Sequence, residues 1–185
     1  PYPWPHDASL SPTTTALLLI DMQRDLLSSQ GYLSTSGTLP PDTLARFQSL
    51  VPRLVSLLST FRHAGFGVWH TRMGFRESGG STAWARERYP QRRGGIIIGA
   101  QGPLGPFLVR GSRGHDLISE LLPLPHEPVV DKPGYGAFTY TDLEATLRAR
   151  GLRNLVVCGI ALEGAVSSTV REAADRGFDV LVVED

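Results

Sequence analysis

The stretch that decides the fold is LVVCGIALEGAVSSTVREAADRGFDVLVVED, Leu155 to Asp185. Two valine-rich runs, Leu155–Cys158 and Val180–Val183, have the continuous apolar character of strands that are buried on both faces. Between them, apolar and small residues recur at helical spacing over Val166–Ala174. Gly177 follows, where the end of a helix favours a residue that adopts positive φ. The stretch therefore predicts a strand–helix–strand unit of a parallel sheet.

The turn that joins the first of these strands to the helix, Gly159–Ala165, is the predicted functional site. Open α/β sheets bind ligands at the carboxyl ends of their strands. Backbone N–H groups at the start of a helix can hold an anion or an oxyanion there. The turn contains no nucleophilic side chain, so a backbone anion site is what it offers by itself.

The rest of the chain alternates strands and helices in the order of a doubly wound parallel sheet. Strands are predicted at Ala16–Ile20, Phe66–Thr71 and Pro128–Val130, and helices at Leu44–Phe61 (with Asp42 as its cap), Asp116–Leu122 and Tyr140–Arg150. We therefore predict the α/β class, with an extended N-terminal arm over residues 1–15 and one domain over residues 16–185. The irregular stretch Arg72–Leu124 is predicted to cover substrate or to contact another subunit.

Composition excludes several classes of function. The 185 residues carry a formal net charge of zero, which argues against nucleic acid and anionic membranes as partners. A single cysteine forms no internal disulfide and fits a reducing compartment, so we predict a cytoplasmic location. No apolar run approaches the roughly 18 residues of a membrane span. Neither a glycine-rich nucleotide motif nor metal-ligand spacing is found, so we predict a small-molecule site with no cofactor.

Polar residues follow three of the predicted strands at the same edge of the sheet. The first strand leads to Asp21, the brief third strand leads to Lys132, and the fourth leads to the Gly159–Ala165 turn. A carboxylate and an ammonium placed together there could hold a proton ready for transfer. Taken singly, Asp21 could be a helix cap and Lys132 a solvated surface lysine. Their joint position at strand ends favours a functional interpretation.

Two further residues have both a functional and a structural interpretation. Cys158 is the only thiol, but it lies inside the apolar run VVCGI, which favours a small core side chain over a nucleophile. His70 ends the second strand, where it could be a base, a metal ligand, or a histidine that is hydrogen-bonded within the fold.

At Asp21, Lys132 and the Gly159–Ala165 turn, the sequence resembles the isochorismatase-like hydrolases, also called the cysteine hydrolase family. The matching pieces are LLLIDMQRDLL, VVDKPGYGAF and the stretch quoted first. The segment LVRGSRGHDLISELLPLPHEPVVDKPGYGAF is most similar to the branch that contains biuret hydrolase and ureidoacrylate amidohydrolase. The resemblance implies a parallel six-stranded sheet flanked by helices, of which this chain would lack the last strand. It also implies a homo-oligomer.

The resemblance also implies roles for individual residues. The family triad is Asp, Lys and Cys, which makes Asp21 the general acid and base and Lys132 the orienting partner. Ala165 stands at the position of the cysteine, and a methyl group cannot attack a carbonyl. The family further implies a cis peptide bond between Ile160 and Ala161, and an oxyanion hole formed by the backbone N–H groups of Ala161 and Ala165.

Other positions depart from the family pattern or line its pocket. Leu162 replaces the usual threonine, which makes that wall less polar. Nicotinamidases of this superfamily bind metal just after the second strand, but the matching residues here are Met73, Gly74 and Phe75, so no metal is predicted. The residues expected to contact substrate are Tyr135, Phe138, Arg72 and Trp84.

Three accounts of Ala165 follow from the resemblance. In the first, the parent is a cysteine amidohydrolase acting on amides or ureides, and Ala165 is a substitution that disables it. In the second, the chain hydrolyses a vinyl ether as isochorismatases do, with an aspartic acid that protonates the substrate and no covalent intermediate. In the third, the protein binds a ligand without catalysis. The first account is favoured because Asp21 and Lys132 are both present.

Overall fold

The computed structural model describes residues 10–77 and 97–184. Its strands are β1 (Thr15–Ile20), β2 (Gly67–Met73), β3 (Gln101–Gly102), β4 (Gly105–Pro106), β5 (Val129–Lys132), β6 (Asn154–Gly159) and β7 (Asp179–Val182). Within the described ranges, five of these strands form one parallel sheet in the order β5-β2-β1-β6-β7. β1 lies at the centre and the chain proceeds outward to both sides. The predicted α/β class with a doubly wound parallel sheet is confirmed.

The central strand β1 is buried on both faces. Ala16, Leu18 and Ile20 pack into one core cluster, whereas Leu17 and Leu19 pack into a second cluster on the other face. Burial on both faces explains why the strand is a continuous apolar run rather than an alternating one. Each fully buried side chain of this kind contributes roughly 1.5–3 kcal/mol, so β1 fixes the position of whatever follows it.

Helices cover the two faces of the sheet. They are α1 (Arg24–Leu27), α2 (Tyr32–Thr35), α3 (Pro41–Ser49), α4 (Val51–His63), α5 (Leu143–Ala149) and α6 (Ser167–Asp175). α4 contributes Leu54, Leu58 and Phe61 to the cluster that contains Leu17 and Leu19. On the other face, α5 and α6 contribute Leu143, Leu147 and Ala173. This three-layer arrangement leaves the carboxyl ends of the strands at one edge.

The single helix predicted over Leu44–Phe61 is wrong, because the structure divides it into α3 and α4 at Leu50. Pro52 lies in the first turn of α4, where its missing N–H costs nothing and where it starts a new helix. Asp42 is not the cap either. Pro40 holds that position and Asp42 lies in the first turn, where a carboxylate is favoured by the helix dipole.

Three other boundaries differ from the predictions. The predicted helix over Asp116–Leu122 is reduced to a short 3₁₀ turn, Ser119–Leu121. α5 begins only at Leu143 because Tyr140 takes a left-handed backbone conformation, with φ of 61°, that a right-handed helix cannot contain. β5 extends further than predicted and ends at Lys132, so that residue belongs to the strand and not to the loop after it.

The N-terminal arm predicted over residues 1–15 lies mostly outside the described residues, and Thr15 already belongs to β1. The boundary of the single domain stays a prediction at that end. Among the helices of the described residues, none combines the length and the apolar character that crossing a membrane requires.

Candidate active site

Asp21 and Lys132 form a buried ion pair at the edge of the sheet. Asp21 directly follows β1 and Lys132 ends β5. The Nζ atom of Lys132 lies 2.6 Å from Oδ2 of Asp21, and the two side chains are 0% and 3% exposed. Nζ also donates a hydrogen bond to the Gly134 carbonyl at 2.9 Å. The structure therefore brings together the two side chains that sequence reasoning singled out.

Thr71 in β2 completes the environment of the Asp21 carboxylate. Its Oγ1 donates to Oδ1 of Asp21 at 2.7 Å. The backbone N–H of Asp21 is directed at the Thr71 carbonyl and at Oγ1, each at 3.2 Å. Sequence reasoning missed Thr71. Period-two alternation along β2 could have found it, because Thr71 shares the face of Trp69 and lies beside the strand that leads to Asp21.

The turn after β6 lies directly beside Asp21. In the pairing of β1 with β6, Ile20 is opposite Gly159, and the Ile160 N–H donates to the Ile20 carbonyl at 3.1 Å. The peptide bond between Ile160 and Ala161 is cis. Ala165 is 5% exposed and packs in the same core cluster as Ile20. Ala165 thus lies at the edge of the sheet where Asp21 is found.

A single π-helical turn, Leu162–Val166, connects the cis bond to α6. The Thr169 hydroxyl donates to the Ala165 carbonyl at 2.7 Å, which ties this turn to the helix. Leu162 is 63% exposed. A side chain added at Gly164 would lie 3.5 Å from the ring of Tyr135, which is itself 39% exposed. Tyr135 and Leu162 therefore give the outer side of the turn an apolar surface.

Arg72 lies on the opposite face of the sheet from Asp21. Successive side chains alternate along a strand, so the Thr71 side chain turns toward Asp21 and the Arg72 side chain turns away. Arg72 forms a two-pronged contact with Asp131, at 2.7 and 3.1 Å, and a further bond with Asp116 at 3.1 Å. The Arg72 side chain therefore points away from Asp21, and a contact of Arg72 with substrate stays a prediction.

The other predicted substrate contacts have different outcomes. Phe138 is 5% exposed and its ring packs 5.5 Å from that of Phe178, so the structure gives it a core role, and its place in a pocket stays a prediction. Trp84 lies outside the described residues. Trp69, in β2, is fully buried and donates to Thr146.

Cys158 and His70 both belong to the fold. Cys158 is 3% exposed, and burial raises the pKa of its thiol to about 12, which confirms the interpretation as a core residue. His70 is fully buried with Nε2 at 3.1 Å from Glu127. Burial, only partly opposed by Glu127, lowers the pKa of this imidazole. His70 lies on the Arg72 side of the sheet and serves packing there.

Glu127 contacts both His70 and Arg62 through its carboxylate. It is held by Arg62 at 2.8 and 2.7 Å. Burial acts to raise its pKa, but the hydrogen bonds from Arg62, the Leu124 N–H and His70 outweigh burial and lower the pKa to about 2.

The positions that match the nicotinamidase metal site have other neighbours here. Phe75 is 1% exposed and packs in a small core cluster. Gly74 lies so close to His115 and Arg110 that a side chain would collide with them. Across residues 10–77 and 97–184, no group of three or more His, Cys, Asp or Glu side chains is arranged to hold a metal ion.

A large open groove of about 1160 Å³ lies away from the ion pair. It is on the Arg72 side of the sheet, and its lining includes Arg24, Gln48, Val55, Arg72 and Asp116. Size alone would single out this groove as the binding site. The buried Asp21–Lys132 pair, which could transfer a proton, lies on the other face, so we take the Asp21 edge as the candidate site of chemistry.

The fold and the Asp21–Lys132 pair define an α/β protein with a doubly wound parallel sheet and a candidate active site at the carboxyl edge of that sheet. A family model described as the Isochorismatase domain matches residues 15–185, and the chain belongs to this family. The ureidoacrylate amidohydrolase RutB of Stutzerimonas stutzeri is 31% identical over 192 residues, which cover 98% of this chain and 72% of that protein. RutB of Variovorax paradoxus is likewise 31% identical, over 98% of this chain and 71% of its own length.

Solved structures agree with this assignment. A cysteine hydrolase from Pseudomonas syringae pv. phaseolicola superposes with a TM-score of 0.75 at 26% identity, covering 94% of this chain and 72% of that one. An isochorismatase family protein from Desulfovibrio vulgaris gives a TM-score of 0.69 at 28% identity, over 92% and 79% of the two chains. The family and these relatives indicate a hydrolase, and the resemblance inferred from the three motifs is confirmed at the level of the family.

Proposed function

We propose that the chain carries the site of a small-molecule amidohydrolase whose nucleophile position is occupied by Ala165. In this proposal, Asp21 and Lys132 are the catalytic pair, and amide or ureide substrates bind without forming an acyl-enzyme. The observation that carries the proposal is the buried 2.6 Å contact between Lys132 and Asp21. Buried ion pairs are costly to form, and charged groups of this kind concentrate at functional sites.

The hydrogen bonds around Asp21 support a role as a base. Oδ1 accepts from the Thr71 hydroxyl and Oδ2 accepts from the Lys132 ammonium. These contacts hold the carboxyl group in one orientation at the edge of the sheet, where it could take up a proton and later return it. Amide hydrolysis by a thiol begins with proton uptake, whereas vinyl-ether hydrolysis begins with proton donation to the substrate. The experiment below separates the two accounts.

In the parent reaction, a thiol at position 165 would attack the substrate carbonyl carbon while Asp21 takes the thiol proton. The oxyanion would be stabilised by the backbone N–H groups of Ala161 and of residue 165. As the C–N bond breaks, Asp21 would return the proton to the departing nitrogen. Water would then attack the thioester, give its proton to Asp21, and release the carboxylic acid and the thiol. Lys132 would hold the Asp21 carboxylate throughout.

The substrate class is proposed from the relatives and from the outer surface of the turn. Relatives named as ureidoacrylate amidohydrolases point to ureides and small amides. Leu162, at 63% exposure, and the partly exposed Tyr135 add apolar surface beside the turn. We therefore propose ureides and small amides as the substrate class, with room for an apolar or aromatic group next to the amide.

Restoring the nucleophile tests the proposal. Ala165→Cys is compared with the chain as given for release of ammonia or amine from a panel of ureides, small aliphatic amides and aromatic amides. The double variant Ala165→Cys with Asp21→Asn is the matched control, because it keeps the thiol and removes the base. We expect turnover only in Ala165→Cys, with a loss of roughly 10²-fold or more when Asp21 is replaced.

The other two accounts of Ala165 give different results in the same experiment. If no amide is cleaved by Ala165→Cys and the chain as given hydrolyses vinyl ethers, the amidohydrolase proposal is wrong and the isochorismatase reaction replaces it. If neither protein cleaves any of these substrates while the chain as given binds them, the protein has a binding role. A homo-oligomer in the cytoplasm belongs to the same proposal, and light scattering on the purified chain tests the oligomeric part.

A further inference from the structure

We propose that Thr71 is a positioning residue for Asp21: its hydroxyl fixes the carboxylate in the orientation that proton transfer at position 165 requires. Only one of its tests, the measurement of kcat and KM, rests on the proposed function. The inference adds a fourth side chain, from β2, to the three positions that the family motifs supply. Thr71 touches Asp21 and not the reacting atoms, so its effect on turnover passes through the carboxylate.

The hydrogen bonds leave the Asp21 carboxylate little freedom to rotate. Thr71 Oγ1 donates to Oδ1 at 2.7 Å, while Lys132 Nζ holds Oδ2 at 2.6 Å. With one donor on each oxygen, the plane of the carboxylate is set by two different strands. Removing Thr71 would leave Oδ1 without its hydroxyl donor in a side chain that is only 3% exposed, where water cannot readily replace it.

The backbone of Asp21 is held by the same residue. Asp21 lies in the left-handed region, with φ of 53°, which is uncommon for a residue with a side chain. Its N–H donates to the Thr71 carbonyl and to Oγ1, each at 3.2 Å. The hydroxyl therefore receives a hydrogen bond from the Asp21 backbone and gives one to the Asp21 side chain. Valine, which has the same shape, keeps the packing and loses both bonds.

Thr146, which is half-buried, offers a control elsewhere in the molecule. Its hydroxyl also accepts one bond, from Trp69 Nε1 at 3.2 Å, and donates one, to the Leu143 carbonyl at 2.9 Å. Thr146 lies on α5, whereas Asp21 follows β1. Thr146→Val therefore costs the same number of hydrogen bonds without reaching the carboxylate. Thr71→Ser is the conservative variant, since it keeps the hydroxyl.

The experiment places Thr71→Val, Thr71→Ser and Thr146→Val separately in the Ala165→Cys background. The first measurement needs no substrate: the rate at which iodoacetamide alkylates the introduced thiol is followed at pH 7. The chain as given is the blank, because Cys158 is 3% exposed and burial raises its pKa to about 12. The second measurement is kcat and KM for the best amide of the panel.

We expect Thr71→Val to slow alkylation several-fold and to lower kcat by roughly 10- to 100-fold, the effect of one hydrogen bond to a charged group. KM should stay within about twofold, because the bond acts on the reacting geometry and not on substrate binding. Thr71→Ser should restore most of both rates. Thr146→Val should leave both near those of the Ala165→Cys parent.

Two results would overturn the inference. One is unchanged alkylation and turnover in Thr71→Val, and the other is an equal loss in Thr71→Val and Thr146→Val, which would mean general destabilisation. Failure of the proposed function gives a different pattern. In that case no variant cleaves amides, but Thr71→Val still slows alkylation relative to Thr71→Ser and Thr146→Val, and the positioning role stands without the amidase reaction.

Discussion

The two faces of the sheet carry contrasting ionic clusters at the same edge. On one face, which we call the Asp21 face, Asp21 contacts Thr71 and Lys132. On the other, the Arg72 face, Arg72 binds Asp131 and Asp116. Thr71 and Arg72 are neighbours in β2, and Asp131 and Lys132 are neighbours in β5. Adjacent residues of the same two strands thus build both clusters.

Burial distinguishes the Asp21–Lys132 pair from the cluster of Arg72, Asp131 and Asp116. Lys132 and Asp21 have side chains that are 0% and 3% exposed, whereas those of Arg72, Asp131 and Asp116 are 24%, 26% and 57% exposed. Exposed ion pairs contribute about 0–1 kcal/mol. A buried pair is costly to desolvate, and replacing it by apolar side chains is often neutral for stability. Stability alone therefore explains the Asp21–Lys132 pair poorly, which supports the catalytic role proposed for it.

The largest effect is expected when the positively charged partner of the buried pair on the Asp21 face is removed. Lys132→Met leaves the Asp21 carboxylate buried with its charge uncompensated. We expect the free energy of unfolding to fall by about 3–5 kcal/mol, measured by urea denaturation at pH 7. The equivalent substitution on the other face, Arg72→Met, is the matched control.

A double substitution checks the cause of that loss. Asp21→Asn combined with Lys132→Met removes both charges, so it should be less destabilising than Lys132→Met alone. If the double variant is the less stable of the two, uncompensated charge is not the reason, and the packing of the lysine side chain is.

The next largest effect is a pH dependence of the free energy of unfolding, and it arises from His115 on the Arg72 face. His115 is 1% exposed, and burial, helped by Arg72 and Arg110 against Asp131 and Asp116, lowers its pKa to about 4 from 6.5. Below pH 6.5, the unfolded imidazole takes up a proton that the folded one does not. The free energy of unfolding should therefore fall between pH 6.5 and 4, by about 3 kcal/mol at most.

His115→Gln isolates this contribution, since Gln has no proton to take up in that range. Urea denaturation of both proteins at several pH values should give a steeper decline for the chain as given than for the variant. Glu127, with its pKa at about 2, lowers stability at acid pH in both proteins, so the difference between them reports on His115. Parallel curves would show that His115 binds its proton equally well in the folded and the unfolded protein.

The smallest effect is expected from Arg72→Met itself. Its partners Asp131 and Asp116 stay in contact with solvent, so we expect a loss of about 1 kcal/mol or less. In the Ala165→Cys background, turnover should change little, because Arg72 does not share the face of Asp21. A loss of turnover as large as that of Asp21→Asn would mean that Arg72 reaches the substrate, and the distinction between the two faces would fail.

Sequence patterns predicted the strands and the two charged residues but not the neighbours of those residues. Asp21 and Lys132 were found because each follows an apolar run. The division of the helix at Leu50 was missed, since apolar spacing continues through Pro52. Arg72 was placed in the pocket because it is close in sequence to a strand end, yet alternation along β2 turns it to the other face.

By itself, the sequence determined the α/β class, the family, and the motifs that contain Asp21, Lys132 and the Gly159–Ala165 turn. Those features depend on the local spacing of apolar residues and on motifs, both of which involve residues that are close together in the sequence. Only the tertiary structure decided that Thr71 donates to Asp21 and that Arg72 donates to Asp131 on the opposite face of the sheet. Those contacts join residues about 50 positions or more apart, and strand pairing, which no local pattern encodes, brings them together.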